Sequence, residues 1–461
     1  MALAAAVALV LLSCGFDADR ANIVFVMTDD QPKNTVLAMP NVRSRIAGEG
    51  MTFSNAYVTE SLCCPSRASI LRGQYPHNTG VERNYAPDGG AQTFRENGKE
   101  AATVATELRR GGYATALVGK YLNGYDASYK PPGWNYWYAK AEPGVPGLKV
   151  RKNSTVRDYA GRHGSWSDRL RDKALGFLKR RAGKDKPFAL FLWSAQPHLE
   201  AGDYAERYSG LYQNAKLPPK PSYNEDVSDK PEWIRSRSPL TGADRNQLNE
   251  WHQNQLRSTR QVDDAVGDVL DLLRSKGELS NTYVIFTSDN GTQMGEHRWF
   301  SHHGAKSTPY EEAANVPLYV KGPGVPHGAK SNELILNNDF APTFEAIAGL
   351  TPPAYTDGRS VLPAWKGGTL SRTAFLNERP TTDDSPMPPY RAALSKSHTY
   401  VHWGTEERNL YVRPQDPYEN ENAYNPANPP ALADRLDALA GCAGDSCHAA
   451  EDGPNRTGGA K

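Results

Sequence analysis

The sequence predicts an α/β protein: a large mixed, mostly parallel sheet sandwiched by helices, with a smaller C-terminal α+β subdomain carrying an antiparallel sheet. Three observations predict it. Four short apolar runs, 22–27, 114–118, 188–193 and 282–287, lack the polar alternation of half-exposed strands and read as strands buried on both faces. A helical repeat over 242–273 places Leu256, Val262, Val266, Val269 and Leu273 on one stripe, suited to cover such a sheet. Beyond about residue 352 the apolar segments shorten. There 391–394, 398–402 and 409–412 read as strands, followed after Asp416-Pro417 by a helix over 431–440. The expected boundaries are 1–20 for a leader and spacer, 21–352 for the large domain, 353–450 for the subdomain and 451–461 for a disordered tail.

Bulk composition narrows the function classes. Lys plus Arg number 53 against 52 Asp plus Glu, a net charge of +1. That balance gives no long-range attraction to nucleic acid or to an anionic membrane surface. Residues 2–13 form an apolar stretch too short to span a bilayer but of signal-peptide length. Leu11-Leu12-Ser13-Cys14 resembles a bacterial lipobox, with Cys14 as the lipidated residue, although no Lys or Arg precedes the apolar run. The expectation is an exported chain, a cell-surface lipoprotein or else secreted or periplasmic, that meets a membrane only through an anchor on Cys14. Cys442 and Cys447 are close enough for a small local disulfide, and Cys64 reads as a small apolar group.

Each apolar run ends in reactive groups: Asp29-Asp30, Gly119-Lys120, Gln196-Pro197-His198 and Asp289-Asn290. Ligands of open α/β sheets bind outside the carboxyl ends of strands, so four such ends point to one shared site. Adjacent buried carboxylates repel unless a cation sits between them. Asp29, Asp30, Asp289 and Asn290 offer hard oxygen donors that suit Ca²⁺ or Mg²⁺ and disfavour zinc. The run Cys63-Cys64-Pro65-Ser66-Arg67, followed by Leu71 and Gly73, puts a thiol at the start of a helix. Free backbone N–H groups there attract an anion, with Arg67 as counter-charge, so Cys63 reads as a nucleophile or a modified cysteine. The same run also reads as a buried cysteine pair ahead of a core helix.

That spacing resembles the sulfatase motif C-x-P-S-R-x-x-x-L-x-G, in which the first cysteine is oxidised to formylglycine; Arg72 stands where the family usually has Thr. The resemblance extends through Met39-Pro40-Asn41-Val42, Gly119-Lys120, Pro197-His198, Lys306 ahead of Tyr310-Glu311, Asn315-Val316-Pro317 and Asp357-Gly358. It implies Cys63 as the formylglycine precursor, matured by a formylglycine-generating enzyme, and as a further ligand of the metal held by Asp29, Asp30, Asp289 and Asn290. It also implies Lys120, Lys306 and Arg67 on the equatorial sulfate oxygens, with His198 or Lys306 protonating the leaving oxygen. Leu122 stands where many sulfatases carry a histidine, leaving Asn123 or His77 as candidate bases for sulfate release. His297, His302 and His303 receive no role.

Cys63-Cys64, the run from Gly119 to Gly124 and Pro131-Pro132-Gly133-Trp134 look most like the N-acetylglucosamine-6-sulfatase and extracellular heparan sulfatase branch. The expected substrate is a sulfated sugar or an aryl sulfate. Trp134, Tyr136, Trp137 and Tyr138 read either as a stacking surface for a sugar or as anchors of a Pro/Gly loop. Competing readings are a phosphonate monoester hydrolase or phosphodiesterase of the same superfamily, and a non-catalytic glycan-binding surface protein with Cys63 unmodified.

Overall fold

Four runs of wholly buried residues build the centre of the protein. The computed structural model describes residues 20–142, 148–159, 165–198, 204–301, 305–380 and 387–453; the leader with Cys14, His302, His303 and residues 454–461 lie outside them. In chain order the strands are β1 (Asn22–Thr28), β2 (Met51–Phe53), β3 (Ala56–Tyr57), β4 (Ala114–Gly119), β5 (Tyr136–Lys140), β6 (Lys149–Lys152), β7 (Thr155–Asp158), β8 (Phe188–Trp193), β9 (Thr282–Ser288), β10 (Leu318–Lys321), β11 (Ala329–Ser331) and β12 (Ile335–Leu336). The C-terminal strands are β13 (Ala374–Arg379), β14 (Tyr390–Ser395), β15 (His398–Trp403) and β16 (Arg408–Val412).

The main sheet runs β11-β2-β10-β9-β1-β8-β4-β5-β6-β7. Its centre, β9-β1-β8-β4-β5, is parallel, while β10, β6 and β7 pair antiparallel. Side chains alternate between its two faces. Ile23, Phe25, Met27, Phe191 and Ile285 pack with the helices Cys63–Arg72, Val104–Arg110 and Phe340–Ile347. Val24, Val26, Leu190, Val284 and Phe286 pack with Trp166–Arg181 and with Gly242–Ser275. Both faces are therefore covered, which is why these strands carry no polar alternation. Among the described residues no helix is long and apolar enough to cross a membrane.

The C-terminal sheet is an antiparallel meander, β13-β14-β15-β16, covered by the helix Ala431–Ala440. Its apolar face also packs on Tyr57, Tyr75, Trp233, Trp299 and Tyr310 from the earlier chain. The core under the main sheet runs on through Val361, Ala364 and Trp365, past the expected boundary at 352. The start of the predicted tail at 451 needs correction, while 454–461 lie outside the described residues. Glu451 lies in a helix, Asp445–Asp452, fully buried. It accepts hydrogen bonds from Tyr75 Oη at 2.6 Å, Arg372 Nε at 2.8 Å and Arg359 Nη2 at 2.9 Å. Arg372 also forks onto both carboxylate oxygens of Asp339, at 2.6 and 2.7 Å. A buried ion network of this kind ties the helix Asp445–Asp452 to the large domain. Cys442 and Cys447 form the expected disulfide beside it.

Candidate active site

The strands β9, β1, β8 and β4 are neighbours, so the reactive groups that follow them share one edge of the sheet. Backbone hydrogen bonds continue past the strands and fix these ends: Asp289 N donates to Thr28 O at 3.1 Å, Ser194 N to Met27 O at 2.8 Å and Lys120 N to Trp193 O at 2.8 Å. Asp30 N then donates to Asp289 Oδ1 at 3.2 Å, and Asn290 Nδ2 to Asp30 Oδ1 at 2.6 Å. The helix Cys63–Arg72 enters over this edge with all ten residues buried. Its small side chains permit the approach: Ser66 Oγ donates to Asp289 O at 2.5 Å and accepts from Asn337 Nδ2 at 2.9 Å. Gly73 ends the helix at φ +70°, where a methyl group would meet Thr356 Cγ2 at 2.9 Å, so glycine is required twice over.

Cys63 Sγ lies 3.3 Å from Asp29 Oδ1 and 3.7 Å from Asp30 Oδ1. Lys306 Nζ donates to both oxygens of Asp30, at 2.6 and 2.7 Å, and to Cys63 Sγ at 3.0 Å. His198 Nε2 sits 3.3 Å from Asp30 Oδ2 and 3.4 Å from Lys306 Nζ. Lys120 Nζ donates to Asp29 Oδ2 at 2.6 Å and lies 4.0 Å from Glu142 Oε2. All nine side chains singled out in the sequence thus converge on one crevice.

Arg67 is where the geometry departs from expectation. Nε donates to Asp289 Oδ2 at 2.7 Å; Nη2 reaches Asp29 Oδ2 at 3.3 Å and Ser194 O at 3.4 Å; Nη1 reaches Lys120 O at 3.0 Å and Tyr121 O at 3.4 Å. A guanidinium has five N–H groups, and all five have protein acceptors. None is left for sulfate oxygens, so the expected counter-charge on the substrate is corrected to a clamp on Asp29 and Asp289.

Burial opposes ionisation of Asp29, yet Lys120, then Arg67, His198 and Lys306, hold its carboxyl well below the usual range. Burial and the neighbouring Asp29 push Asp289 up to about 6 against the pull of Arg67. Burial resists charge on Lys120 and Lys306, but the adjacent carboxylates, Asp29 and Asp30 foremost, keep both ammonium groups protonated. Burial lowers His198, partly offset by Asp30. Burial and Asp29 raise the Cys63 thiol well above its ordinary value, so the unmodified sulfur is a poor nucleophile at neutral pH.

The donor set fits a hard divalent cation. Asn290 Oδ1 is buried without a hydrogen-bond partner, and its residue touches the carboxylates of Asp30 and Asp289. Candidate ligand atoms of Asp29, Asp30, Cys63 and His198 lie within 4.8 Å of one another. Oxygen donors in this number suit Ca²⁺ or Mg²⁺.

Other expectations fare differently. His77 Nδ1 meets Glu378 Oε1 at 2.6 Å and Nε2 meets Cys442 O at 3.0 Å, so neither ring nitrogen is open to act as a base. Asn123 is buried with its side-chain oxygen unpaired. Trp134, Trp137 and Tyr138 are almost wholly buried, and Trp134 packs edge-on against Phe191, so this aromatic run is core and not a sugar platform. His297, given no role, is buried against Glu225 at 2.5 Å. Glu142 and Asn337 escaped sequence reading. Both follow short strands without a recognisable motif: the pairing of β5 with β4 brings Glu142 to the site, and Asn337 reaches it from the separate β3–β12 pair.

Comparison with known proteins identifies the family. The sulfatase family profile matches residues 21–350, and a profile described as N-sulphoglucosamine sulphohydrolase, C-terminal, matches 295–439. The chain belongs to the sulfatase family. It is 34% identical to the N-acetylglucosamine-6-sulfatase of Homo sapiens, over 76% of this chain and 65% of that protein. It is 31% identical to the arylsulfatase of Volvox carteri, over 93% of this chain and 76% of that one. The chain spans 31% and 50% of the length of two extracellular sulfatase homologues, from Drosophila melanogaster and Caenorhabditis elegans. A solved structure in complex with its substrate D-glucosamine-2-N,6-O-disulfate shares the fold at TM-score 0.76 and 23% identity, over 91% of this chain and 96% of that chain. A phosphonate monoester hydrolase from Silicibacter pomeroyi shares it at TM-score 0.69 and 21% identity, over 91% and 94%.

Proposed function

We propose that the protein is a sulfuric ester hydrolase that releases sulfate from a sugar sulfate of the N-acetylglucosamine 6-sulfate kind. The observation that carries this reading is the meeting of Cys63 with Lys306, Lys120 and His198 over a buried oxygen cluster. Conversion of Cys63 to formylglycine would supply a hydrated aldehyde as nucleophile, and Ca²⁺ held by Asp29, Asp30, Asp289, Asn290 and the modified residue would supply Lewis acidity. The chain's own residues do the rest. Arg67 fixes Asp29 and Asp289 in place. Lys120 has donors left beyond Asp29 and, with Lys306, faces the charge that grows on the equatorial oxygens in a water-poor crevice. His198 or Lys306, in contact with each other, protonates the leaving oxygen.

Charge balance supports a monoanionic substrate. Asp29, Asp30, Asp289 and Glu142 outnumber Arg67, Lys120 and Lys306 by one among these buried groups. A divalent cation turns that deficit into one positive charge, which a sulfate monoester matches. The Cys442–Cys447 disulfide supports an oxidising compartment, in keeping with an exported, Cys14-anchored chain matured by a formylglycine-generating enzyme.

The test is a hydrolysis panel with Cys63→Ala as blank. It compares N-acetylglucosamine 6-sulfate, an aryl sulfate and an aryl phosphonate ester, each with and without chelator. Sulfate release that the blank and the chelator both abolish is expected. Faster phosphonate cleavage would overturn the sulfatase reading, and an unconverted thiol in the Cys63 peptide with no turnover would leave only glycan binding.

A further inference from the structure

The loop from Glu82 to Gly90 takes no part in the chemistry above, yet it is fastened to both sides of the crevice. Asn84 Oδ1 accepts the backbone N–H of Cys64, next to Cys63, at 2.9 Å. On its other side the loop lies against the segment that carries Lys120. Ala91 N donates to Asn123 O at 2.8 Å, and a methyl on Gly124 would lie 3.7 Å from Tyr85 Cδ1. Gly124 is at φ +73°, a conformation that leaves its backbone open beside the Tyr85 ring. Tyr85 itself is 48% exposed, where the tyrosines at 57, 75, 121, 125 and 138 are buried.

Beyond Gly124 a groove of about 370 Å³ opens, lined by Gln92, Arg95, Glu96, Asp126 and Tyr129, with Tyr85 outside the lining and meeting it only across Gly124. Arg95 stacks over the Tyr129 ring at 4.7 Å to its centroid, and Asp126 uses one oxygen to accept Ser128 N at 2.8 Å. An exposed aromatic face beside planar amide, guanidinium and carboxylate groups is the chemistry that holds a sugar: its C–H face stacks on the ring, and its hydroxyls pair with the planar groups. Gly124 is four residues from Lys120, so the groove begins within about 14 Å of that backbone position. A sugar adjoining one whose sulfate sits at Lys120 is therefore within reach of the groove.

We propose that Tyr85, Arg95 and Asp126 form a binding subsite for the sugar adjoining the sulfated unit of an oligosaccharide substrate. The proposal rests on the sugar-sulfate reading above. It gives the enzyme a preference for chains over single sugars.

The test uses wild type, Tyr85→Ala and Arg95→Ala, both exposed positions, on N-acetylglucosamine 6-sulfate and on a tetrasaccharide carrying the same 6-sulfated unit. Wild type should show a kcat/KM at least tenfold higher for the tetrasaccharide. Each variant should lose most of that gain through KM and leave the monosaccharide unchanged. No preference in wild type, a preference both variants keep, or equal losses on both substrates would overturn the subsite. Failure of the underlying reading looks different, since wild type would then ignore both sugar sulfates while cleaving an aryl sulfate or phosphonate. In that event calorimetric titration with unsulfated tetrasaccharide decides the groove alone. Binding lost in Tyr85→Ala sustains it, and absence of binding in wild type overturns it.

Discussion

Arg67→Lys separates a clamp from a substrate contact. The guanidinium holds Asp289 at 2.7 Å, Asp29 at 3.3 Å and three backbone carbonyls, all without solvent. A lysine keeps the charge but is a single point donor and cannot fork between two carboxylates. Leaving one buried carboxylate without its partner costs about 3–5 kcal/mol. Unfolding entropy of about 2.1 cal/mol/K per residue gives a chain of this size roughly 1 kcal/mol per degree. The melting temperature should therefore fall by about 4 °C in calorimetry at saturating Ca²⁺. Displaced Asp29 and Asp289 should also cost on the order of 10²-fold in kcat, since misplacement of about 1 Å carries that penalty, with KM little changed. An unchanged melting temperature together with a tenfold rise in KM would refute the clamp and return Arg67 to the sulfate.

Three further outcomes follow from the same geometry. Asn290→Leu removes the unpartnered buried oxygen, so the rise of about 3 °C that wild type should show when Ca²⁺ at about 100 Kd is restored after chelation should vanish; equal rises in both proteins would exclude Asn290 as a ligand. His198→Gln should slow sugar sulfate hydrolysis by about 10²-fold or more and spare an aryl sulfate with a good leaving group; equal losses on both would remove His198 from leaving-group protonation. Glu345 is buried, and burial with Glu107 pushes its carboxyl up to about 8 from 4.5. The folded chain keeps a proton there that the unfolded chain has lost, so this contribution to stability is full below pH 4.5 and disappears as pH rises toward 8. Glu345→Gln should accordingly gain on the order of 3 kcal/mol at pH 7 and nothing at pH 4.5, and a gain independent of pH in denaturant titrations would refute the assignment.

Much of this was legible in the sequence because burial on both faces leaves a plain mark. Strands β1, β4, β8 and β9 are continuous apolar runs for the same reason that their ends converge: they form the covered centre of a parallel sheet. Asp29, Asp30, Lys120, His198, Asp289 and Asn290 could be named from those ends, and Cys63 and Lys306 from motif spacing. Strands β5 to β7 were not legible. An aromatic run such as Tyr136-Trp137-Tyr138 suits a core strand and an exposed platform equally well, and only its neighbours decide.

What tertiary structure alone decided is direction. The sequence identifies Arg67 as a cation beside the cysteine, but its five donors turn inward because the helix start, β1, β8, β9 and the turn after β4 meet around it. Likewise His77 spends both nitrogens at the subdomain interface, and Glu451 is drawn from an apparent tail onto Arg372 and Arg359. A residue's type is local information and survives in the string. Which acceptor satisfies a buried charge depends on segments hundreds of positions apart, and that is settled only when the sheet brings them within hydrogen-bond distance.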